Sequence, residues 1–453
     1  MRGMLDLEGL RALVEAGEVD TVVAAQTDMQ GRLMGKRFHA RHFVEEAWQE
    51  THSCNYLLAT DMEMETVPGY ASASWAKGYG DHVMRPDMST LRLTPWAPGT
   101  ALVLCDVLDH HGHAPVAHAP REVLRRQVAR LAERGLTPLM ASELEFFAFR
   151  QSYDEVDAAG HRGLAPVSSY NEDYHILQTA KEEGLMRALR NGLDGAGVPV
   201  ENTKGEADAG QAEINVRYAE ALTMADRHVL VKAATKEIAW AQGRAATFMA
   251  RWSNGAAGSS CHIHQSLAGA EGPAFFEAGA PMGMSVMMRS YLAGQLHHAR
   301  AITLALAPFV NSYKRFVAGL FAPTKAVWGA DNRTAGFRVV GEDGPGVRVE
   351  CRIGGADLNP YIASAALLAA GLDGIDKGME LEPAFAGDAY GGEGREIPKT
   401  LREAVEAFAA SDMLRAAWGE AVVEHYAHAA RWEQAQADGA VTDWDLRRGF
   451  ERA

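Results

Sequence analysis

Four separated stretches of the chain alternate ionisable or polar side chains with apolar ones, at residues 141–147, 213–218, 261–264 and 348–353. Successive side chains of a β-strand point to opposite faces of a sheet, so each stretch predicts a strand with one apolar face and one ionisable face. Any fold of this chain must accommodate four ionisable strand faces. This requirement limits the chain to architectures built around a substantial sheet.

The ionisable faces carry, in chain order, Glu143 and Glu145; Glu213, Asn215 and Arg217; His262 and His264; and Arg348, Glu350 and Arg352. One such strand is ordinary, because antiparallel sheets commonly have a solvated face, and a lone histidine pair is more often structural than metal-binding. Four solvated edge strands are therefore the alternative interpretation. However, aligned glutamates repel each other and gain nothing from alignment unless a positive charge lies between them. The recurrence in four strands, with Glu206 just before Glu213, favours a cation site.

The candidate ligand set contains five carboxylates and one imidazole, a set that suits two divalent cations. Its members are Glu143, Glu145, Glu206, Glu213, His262 and Glu350. Oxygen ligands favour Mg²⁺ or Mn²⁺, whereas the scarcity of thiolate and imidazole argues against zinc. Phosphoryl transfer requires such a pair of ions, because the transferring group and the leaving oxygens both accumulate negative charge.

Five arginines follow in a region rich in glycine and asparagine, namely Arg315, Arg333, Arg338, Arg348 and Arg352. The planar guanidinium matches carboxylate and phosphate oxygens and never loses its charge. Surface salt bridges, usually worth under about 1 kcal/mol each, are the alternative explanation. Because Glu350 lies between Arg348 and Arg352 on one predicted face, the pattern favours an anion-binding site.

Three other motifs predict ordinary structure. Residues 31–36 are too short for a phosphate-binding loop and lack a Ser or Thr after the lysine, so they predict the turn of a hairpin. The histidines at 110, 111 and 113 lie in a loop, residues 109–120, that predicts a domain linker rather than a metal site. His425 and His428 lie one helical turn apart without a carboxylate cluster, which predicts a solvated helix face.

Helix signals appear after the linker. Pro120 opens a predicted helix that Gly135 closes, and further helices are predicted at 174–191 and 219–240, the first of them ending at Gly192. The C-terminal part of the chain also predicts mainly helices. The length of the chain predicts two domains.

Composition excludes some partners. The net charge of −15 argues against nucleic acid and anionic membranes as partners. The four cysteines form no CxxC pair, which fits free thiols in a reducing cytoplasm. We find neither a signal peptide nor an apolar stretch long enough to span a membrane, so we expect a cytoplasmic protein.

Seven motifs, in this order along nearly the whole chain, resemble those of glutamine synthetases. They are residues 142–147 (SELEFF), 206–213 (EADAGQAE), 262–266 (HIHQS), 311–315 (NSYKR), 332–338 (NRTAGFR), 350–352 (ECR) and 359–361 (NPY). The resemblance implies an α+β fold with two domains. They are an N-terminal β-grasp domain, residues 1–113, and a catalytic domain, residues 114–453, built on a curved antiparallel sheet with helices. It also implies a homo-oligomer, a dodecamer of two hexameric rings in which a neighbour's N-terminal domain completes each site.

The resemblance also implies a role for each motif residue. Glu145, Glu206 and Glu213 would hold the cation nearer glutamate, and Glu143, His262 and Glu350 the cation nearer the phosphates of ATP. Arg315 and Arg352 would bind glutamate together with Gly258 or Asn254, since the loop before Cys261 is longer than the family's. His264, Arg333, Arg338 and Arg348 would bind the phosphates, with Tyr218 and Ser266 near the adenosine, and Arg333, Arg338 and Arg352 would act in catalysis.

The chain departs from glutamine synthetases where they bind ammonium. A flap glutamate of the family is replaced by Phe321 in the segment 320–323 (LFAP), and the family's second ammonium-binding acid aligns with residues 67–70 (VPGY). Phe321, Pro68 and Tyr70 would therefore line a pocket with more apolar surface and a face for cation–π contact.

These features predict an enzyme that ligates the γ-carboxylate of glutamate to an organic amine via γ-glutamyl phosphate. Its substrates would be ATP, glutamate and a small alkylamine or amino alcohol, with two Mg²⁺ or Mn²⁺ ions per site. Glutamine synthesis from ammonium is the alternative within the family. A catalytically silent structural homologue and a guanidino kinase are further alternatives, but the first should have lost ligands or arginines and the second lacks this motif order.

Overall fold

The computed structural model describes residues 2–453, and its N-terminal part forms a six-stranded sheet. The strands are β1 (Thr21–Thr27), β2 (Leu33–His39), β3 (Thr51–Cys54), β4 (Asp81–Pro86), β5 (Arg92–Leu93) and β6 (Thr100–Asp109). Their order is β2-β1-β6-β4-β3, with β5 paired to β6. β1 and β2 form an antiparallel hairpin in which Thr21 lies opposite His39, so the predicted hairpin turn is confirmed.

One face of this sheet is covered by helix α1 (Leu7–Glu15). The Asp6 side chain caps the helix by accepting a hydrogen bond from the Gly9 backbone N–H at 2.7 Å. Leu10 and Val14 are buried in a core that also contains Val22, Phe43 and Met84. This core is separate from the larger core of the second sheet.

The second sheet has ten strands in the part of the chain that the structure describes. They are β7 (Thr137–Phe149), β8 (Val200–Gly205), β9 (Gln211–Val216), β10 (Ala219–Glu220), β11 (Ala245–Thr247), β12 (Cys261–Gly269), β13 (Gly272–Pro273), β14 (Trp328–Ala330), β15 (Phe337–Val340) and β16 (Arg348–Cys351). The main order is β14-β15-β16-β12-β7-β9-β8, and only the β14–β15 pair among these is parallel. All four predicted ionisable stretches contribute a strand to this sheet, but β9 ends at Val216 and β16 at Cys351, so Arg217 and Arg352 lie just beyond their strands. The α+β fold class is confirmed.

The short helix α2 (Ala40–His42) packs in the N-terminal core through Ala40. The other helices lie around the second sheet and beyond it. They are α3 (Pro120–Ala132), α4 (Tyr153–Ala158), α5 (Ile176–Ala180), α6 (Glu183–Gly195), α7 (Ala221–Ala241), α8 (Val286–Leu306), α9 (Pro360–Asp376), α10 (Leu401–Ala409), α11 (Asp412–Trp418), α12 (Glu420–Gly439) and α13 (Asp443–Gly449). The buried pair α8 and α9 pack closely because Gly371 of α9 lies against the Tyr291 ring of α8. A Cβ atom at Gly371 would lie 2.0 Å from that ring. No helix among residues 2–453 is both long and apolar enough to cross a membrane.

The N-terminal segment is attached to the C-terminal helices through α12. His425 Nε2 donates to the Leu58 carbonyl oxygen at 2.7 Å, and His428 Nε2 donates to the Pro68 carbonyl oxygen at 2.8 Å. Trp432 Nε1 donates to Asp61 at 3.0 Å. The loop of residues 58–68 is therefore held by side chains far away in the sequence.

Two predictions about local structure are wrong. The helix predicted at 174–191 is two helices, α5 and α6, and the second continues past Gly192 to Gly195. The predicted solvated face at His425 is buried, because its ring packs against Tyr70 and His118 with centroids 4.4 and 4.1 Å away. Burial first, and then His118, lower the pKa of His425 well below its ordinary value. The domain boundary at 113/114, which falls between β6 and α3, stays a proposal.

Candidate active site

The register of the second sheet places the ionisable residues of different strands side by side. Glu143 on β7 lies opposite His262 on β12 and opposite Asn215 on β9. Glu145, two residues further along β7, lies opposite Glu213. Because strands place alternate residues on one face, these side chains share the face that the sequence predicts to be ionisable.

Three carboxylates form the first cluster. One oxygen each from Glu145, Glu206 and Glu213 lies within 4.8 Å of the others. Burial, and then the charge of Glu206, raise the pKa of Glu145 to about 7. Burial, and then the charge of Glu143, raise the pKa of Glu213 to about 8. Carboxylates at such close range suit a divalent cation, which would remove the repulsion that raises both pKa values.

Backbone and amide groups fix Glu145 in its place. Its Oε2 accepts hydrogen bonds from the Ser260 backbone N–H at 2.7 Å and from Gln211 Nε2 at 3.1 Å. Gln211 Nε2 also donates to the Gly258 carbonyl oxygen at 3.0 Å. The loop that precedes β12 and the start of β9 thus both orient this carboxylate.

The second cluster contains Glu143, His264 and Glu350, whose nearest ligand atoms also lie within 4.8 Å of one another. His262, the predicted ligand, is adjacent, since its Nδ1 lies 3.2 Å from Glu143 and 3.5 Å from Glu350. Burial acts to raise the pKa of Glu143, but hydrogen bonds from His262 and His264 outweigh it and hold that pKa well below its usual range. Burial and then Arg352 lower the pKa of His262 to about 4. His262 is therefore neutral at physiological pH and able to bind a metal.

Arginines surround the second cluster. Arg338 on β15 lies opposite Glu350 in the sheet and donates to it at 2.9 Å. Arg352 Nη1 forms a short contact with the other oxygen of Glu350. Arg348 Nε lies 3.2 Å from His264 Nδ1. Arg333 is exposed, and its carbonyl oxygen accepts from Arg352 Nε at 3.2 Å.

Arg315 is 2% exposed and is fixed by neutral oxygens. It donates to the Ile353 carbonyl oxygen at 3.0 Å, to the Ser260 hydroxyl at 2.7 Å and to the Arg352 carbonyl oxygen at 3.1 Å. Gly258 allows this position, because a Cβ atom there would lie 2.6 Å from Arg315 Cγ. Asn254 offers its carbonyl oxygen to Arg251 at 2.8 Å.

A cavity of about 530 Å³ opens beside the second cluster. Predicted nucleotide-binding residues line it, namely Tyr218, His264, Ser266 and Arg348, and Glu143 lines it as well. Tyr218 is 56% exposed at the cavity. The cavity wall thus carries an aromatic ring, a hydroxyl, a guanidinium and a carboxylate, groups that suit a nucleotide.

The predicted amine-pocket residues lie in two places within one chain. Tyr70 is buried between His425 and His428, with ring centroids 4.4 and 4.6 Å away. The Pro68 carbonyl contacts the same helix, α12. Phe321 is 58% exposed and has a left-handed backbone with φ +55°.

Tyr390 lies near the predicted glutamate-binding arginines. Burial raises the pKa of Tyr390, whereas Arg352 and then Arg315 oppose that shift. The proximity of Phe321 to these arginines stays a prediction.

Sequence reasoning missed several residues that the structure brings to the first cluster. Lys204 on β8 forms a short ion pair with Glu206. Asp173 and Tyr174, from the turn before α5, contact the same lysine. Lys204 lies next to the Glu206 motif in sequence, which was a usable signal. Nothing local to residues 173–174 distinguishes them from an ordinary turn.

Comparison with known proteins agrees with these observations. A family model described as the catalytic domain of glutamine synthetase matches residues 117–449. The chain is 51% identical over 449 residues to the gamma-glutamylethanolamide synthetase GlnA4 of Streptomyces coelicolor, covering 99% of this chain and 96% of that protein. It is 35% identical over 444 residues to a glutamate–isopropylamine ligase of a Pseudomonas species, covering 97% and 96%. A solved structure described as a GmaS/ADP complex superimposes with a TM-score of 0.85 at 27% identity, covering 97% and 99%.

Proposed function

This chain belongs to the glutamine synthetase family, and we propose that it is a ligase that uses ATP to join the γ-carboxylate of glutamate to an organic amine. Two relatives support this function, since one is named for the product γ-glutamylethanolamide and the other for the ligation of glutamate to isopropylamine. The substrates are glutamate, ATP and a small alkylamine or amino alcohol.

The observation that carries the choice of an organic amine is Phe321. This side chain is 58% exposed at the position where the resemblance to glutamine synthetases implies an ammonium-binding glutamate. A hydrogen bond to a charged group contributes on the order of 1.5–3 kcal/mol, so the loss of a carboxylate weakens ammonium binding. The aromatic ring instead offers apolar surface and a cation–π face to the alkyl part of an amine.

Enzymes of this family use ATP and divalent metal ions. We assign two Mg²⁺ or Mn²⁺ ions to the site, one held by Glu145, Glu206 and Glu213. The other is held by Glu143, His262 and Glu350, and His264 is close enough to contribute. These donor sets fit hard cations because carboxylate oxygens predominate. When bound, the ions would neutralise the charge that accumulates on the transferring phosphoryl group.

The chain's own residues position the reactants. Arg315 and Arg352 bind the carboxylates of glutamate, with Gly258 leaving room for Arg315, and Arg338 and Arg348 bind the phosphates of ATP. Arg333, Arg338 and Arg352 act on the developing negative charge, since guanidinium groups remain protonated throughout.

The reaction has two steps. In the first, a γ-carboxylate oxygen of glutamate attacks the γ-phosphorus of ATP, and ADP leaves. In the second, a neutral amine nitrogen attacks the acyl carbon, and the C–O bond to phosphate breaks. The nitrogen's surplus proton passes to a base or to water. Activation is required because a carboxylate by itself is a poor acylating agent.

The assembly and the compartment are part of the same proposal. We assign a homo-dodecamer of two hexameric rings, in which the exposed Pro68 of one chain completes the amine pocket at Phe321 of the next. Tyr70, predicted to line that pocket, is buried in its own chain and supports the Pro68 loop from beneath. Four free cysteines among the described residues support a cytoplasmic location.

An amine panel tests the function. Purified protein with ATP, glutamate and Mg²⁺ should release phosphate in the presence of ethanolamine or small alkylamines, and mass spectrometry should detect the γ-glutamylamide. Turnover with ammonium far above that with every organic amine would instead make the protein a glutamine synthetase. A catalytically silent homologue would release no phosphate with any of these compounds.

A further inference from the structure

A second cavity, of about 70 Å³, lies between the loop of residues 58–68 and helix α12. Thr60 lines it from the loop, and Trp432 and Glu433 line it from α12, while α8, α9 and α10 complete its wall. Of the residues predicted to bind metal, glutamate, nucleotide or amine, only Tyr70 lines this cavity. It is therefore separate from the cavity beside the second metal cluster.

Two side chains at this cavity carry a buried oxygen that has no hydrogen-bond partner, the Thr60 hydroxyl and Gln30 Oε1. Thr60 is 2% exposed, so its hydroxyl does not reach bulk solvent. Gln30 Nε2 donates to the Thr60 carbonyl oxygen at 3.1 Å, which leaves the amide oxygen free to accept. Buried polar atoms without partners are costly, so these two oxygens indicate a ligand that donates hydrogen bonds.

The charges at the cavity are all negative. Asp61 and Glu433 line it, and no lysine, arginine or histidine among residues 2–453 does. Burial raises the pKa of Glu433 against a hydrogen bond from the Val310 backbone N–H, and the charges of Glu63 and Asp61 raise it further. A positively charged ligand would relieve this repulsion between carboxylates.

The rest of the lining limits the size and the polarity of a ligand. Tyr70, Phe408 and Tyr426 contribute buried aromatic rings, whose faces attract cations and pack against alkyl groups. One bound water needs about 10–15 Å³ of such space, so the cavity holds roughly five groups of that size. Ethanolamine and isopropylamine are molecules of this size. Glutamate and ATP are too large and carry negative charge.

We propose that this cavity is a second ligand site, outside the active site, that binds a small alkylammonium ion. Glu433 and Gln30 accept hydrogen bonds from the ammonium group together with the Thr60 hydroxyl, and the aromatic rings enclose the alkyl part. An ion bound between the loop and α12 stabilises the loop that carries Pro68. This inference goes beyond the proposed function, because such binding requires neither ATP nor glutamate.

Isothermal titration calorimetry with isopropylammonium chloride tests the site, in buffer that contains Mg²⁺ but no ATP or glutamate. The Mg²⁺ occupies the carboxylate clusters proposed to hold metal, so that they do not bind the ammonium ion. We expect Glu433→Gln to raise the Kd by about 10-fold or more, because it removes a charge-assisted contact. Glu406→Gln, at an exposed acid on α10, is the matched control and should leave the Kd unchanged.

Thr60→Val separates ligand binding from folding. The hydroxyl has no partner in the ligand-free protein, so the unfolding midpoint of the ligand-free variant should equal or exceed the native midpoint. The Kd should nevertheless rise about fivefold, because the ligand loses one hydrogen bond. A hydroxyl with only a structural role would instead lower the midpoint and leave the Kd unchanged, which would overturn its assignment to the site.

Two further results would overturn the proposal. One is a native protein that shows neither heat of binding nor a raised unfolding midpoint with isopropylammonium. The other is an equal Kd for the native protein, Glu433→Gln and Thr60→Val, because the ion then binds elsewhere. If the titration succeeds while the amine panel yields no γ-glutamylamide, only the proposed function fails.

Discussion

Glu182 is a buried carboxylate outside the candidate metal clusters. It is 3% exposed, and one of its oxygens is buried without a hydrogen-bond partner. Burial first, and then the charge of Glu172, raise its pKa to about 8. Between about pH 4.5 and pH 8, Glu182 is therefore protonated in the folded protein and ionised in the unfolded chain.

Glu182→Gln should change how stability depends on pH. A raised carboxyl pKa contributes stability that is complete below about pH 4.5 and is lost as the pH rises towards about 8. We expect the free energy of unfolding of the neutral variant to equal that of the native protein at pH 5. At pH 8.5 it should be higher, by on the order of 2 kcal/mol. Urea unfolding at both pH values measures this difference. A variant that is less stable than the native protein by the same amount at both pH values would contradict the raised pKa of Glu182.

Gly258→Ala should weaken glutamate binding. The new Cβ would lie 2.6 Å from Arg315 Cγ and 3.0 Å from the Ala250 carbonyl oxygen, so Arg315 must move. We expect the KM for glutamate to rise about 10-fold, as for the loss of one charge-assisted contact, with little change in the KM for ATP. Gly255→Ala is a control in the same loop, since a Cβ at Gly255 meets no atom within 4 Å. Equal effects of the two substitutions would argue against a role for Arg315.

Among the helices and strands, the strands of the second sheet could be predicted because each one shows its alternation of ionisable and apolar side chains within a short stretch of sequence. The period of two around Glu143 and Glu145 is visible in sequence, and the sheet pairs these residues with His262 and Glu213 as expected for one shared face. By contrast, the helix break near Glu182 has no glycine or proline at the break itself. Gly184 lies two residues past the break and is a weak local signal, whereas the burial of Gln178 and Glu182 at the break depends on distant parts of the chain.

Residues whose partners are distant in sequence were the ones that the sequence could not assign. His425 lacks neighbouring carboxylates, which predicts a solvated face, yet its partner is the Leu58 carbonyl 367 residues away. Asp173 and Tyr174 could not be assigned to the site from the sequence, because they reach the first cluster only through their contacts with Lys204 on β8. The motif residues were assignable because resemblance to a family supplied what spacing alone did not.

Two helical glycines, Gly371 in α9 and Gly184 in α6, give substitutions whose expected effects on stability have opposite signs. Gly371→Ala forces a Cβ into the Tyr291 ring and should destabilise the protein by about 1–3 kcal/mol. Gly184→Ala, in α6, meets no atom within 4 Å and should stabilise it by about 0.5–1 kcal/mol. Thermal unfolding of both variants measures the two signs. A Gly371→Ala variant as stable as the native protein would show that α8 and α9 can move apart without a loss of unfolding free energy.

In the whole molecule, apolar side chains near the C-terminus are exposed to solvent when a single chain is considered. Val441, Trp444, Leu446 and Phe450 are 77%, 58%, 50% and 88% exposed. Exposed apolar residues grouped in this way indicate a protein interface. The short helix α13 is therefore a candidate contact between copies of the chain in the proposed dodecamer.

Deletion of residues 440–453 should reduce the particle mass. We expect mass photometry of the native protein to show a dodecamer of 49.0 kDa chains, and the shortened protein to give a smaller particle with unchanged circular dichroism. As a control, Arg447→Ala alters the charge of α13 but leaves its apolar side chains, and it should keep the native mass. A shortened protein of native mass would place the interface elsewhere.

The hydrogen bonds from α12 to residues 58–68 matter to anyone who retunes this enzyme by directed evolution. His428 and the Pro68 carbonyl that it contacts are 360 residues apart, so a library confined to the loop would leave its anchor untouched. A fused tag or a randomised tail that shifts α12 would reshape the loop without altering any of its codons. Libraries for new amines should therefore vary His425, His428 and Trp432 together with the loop.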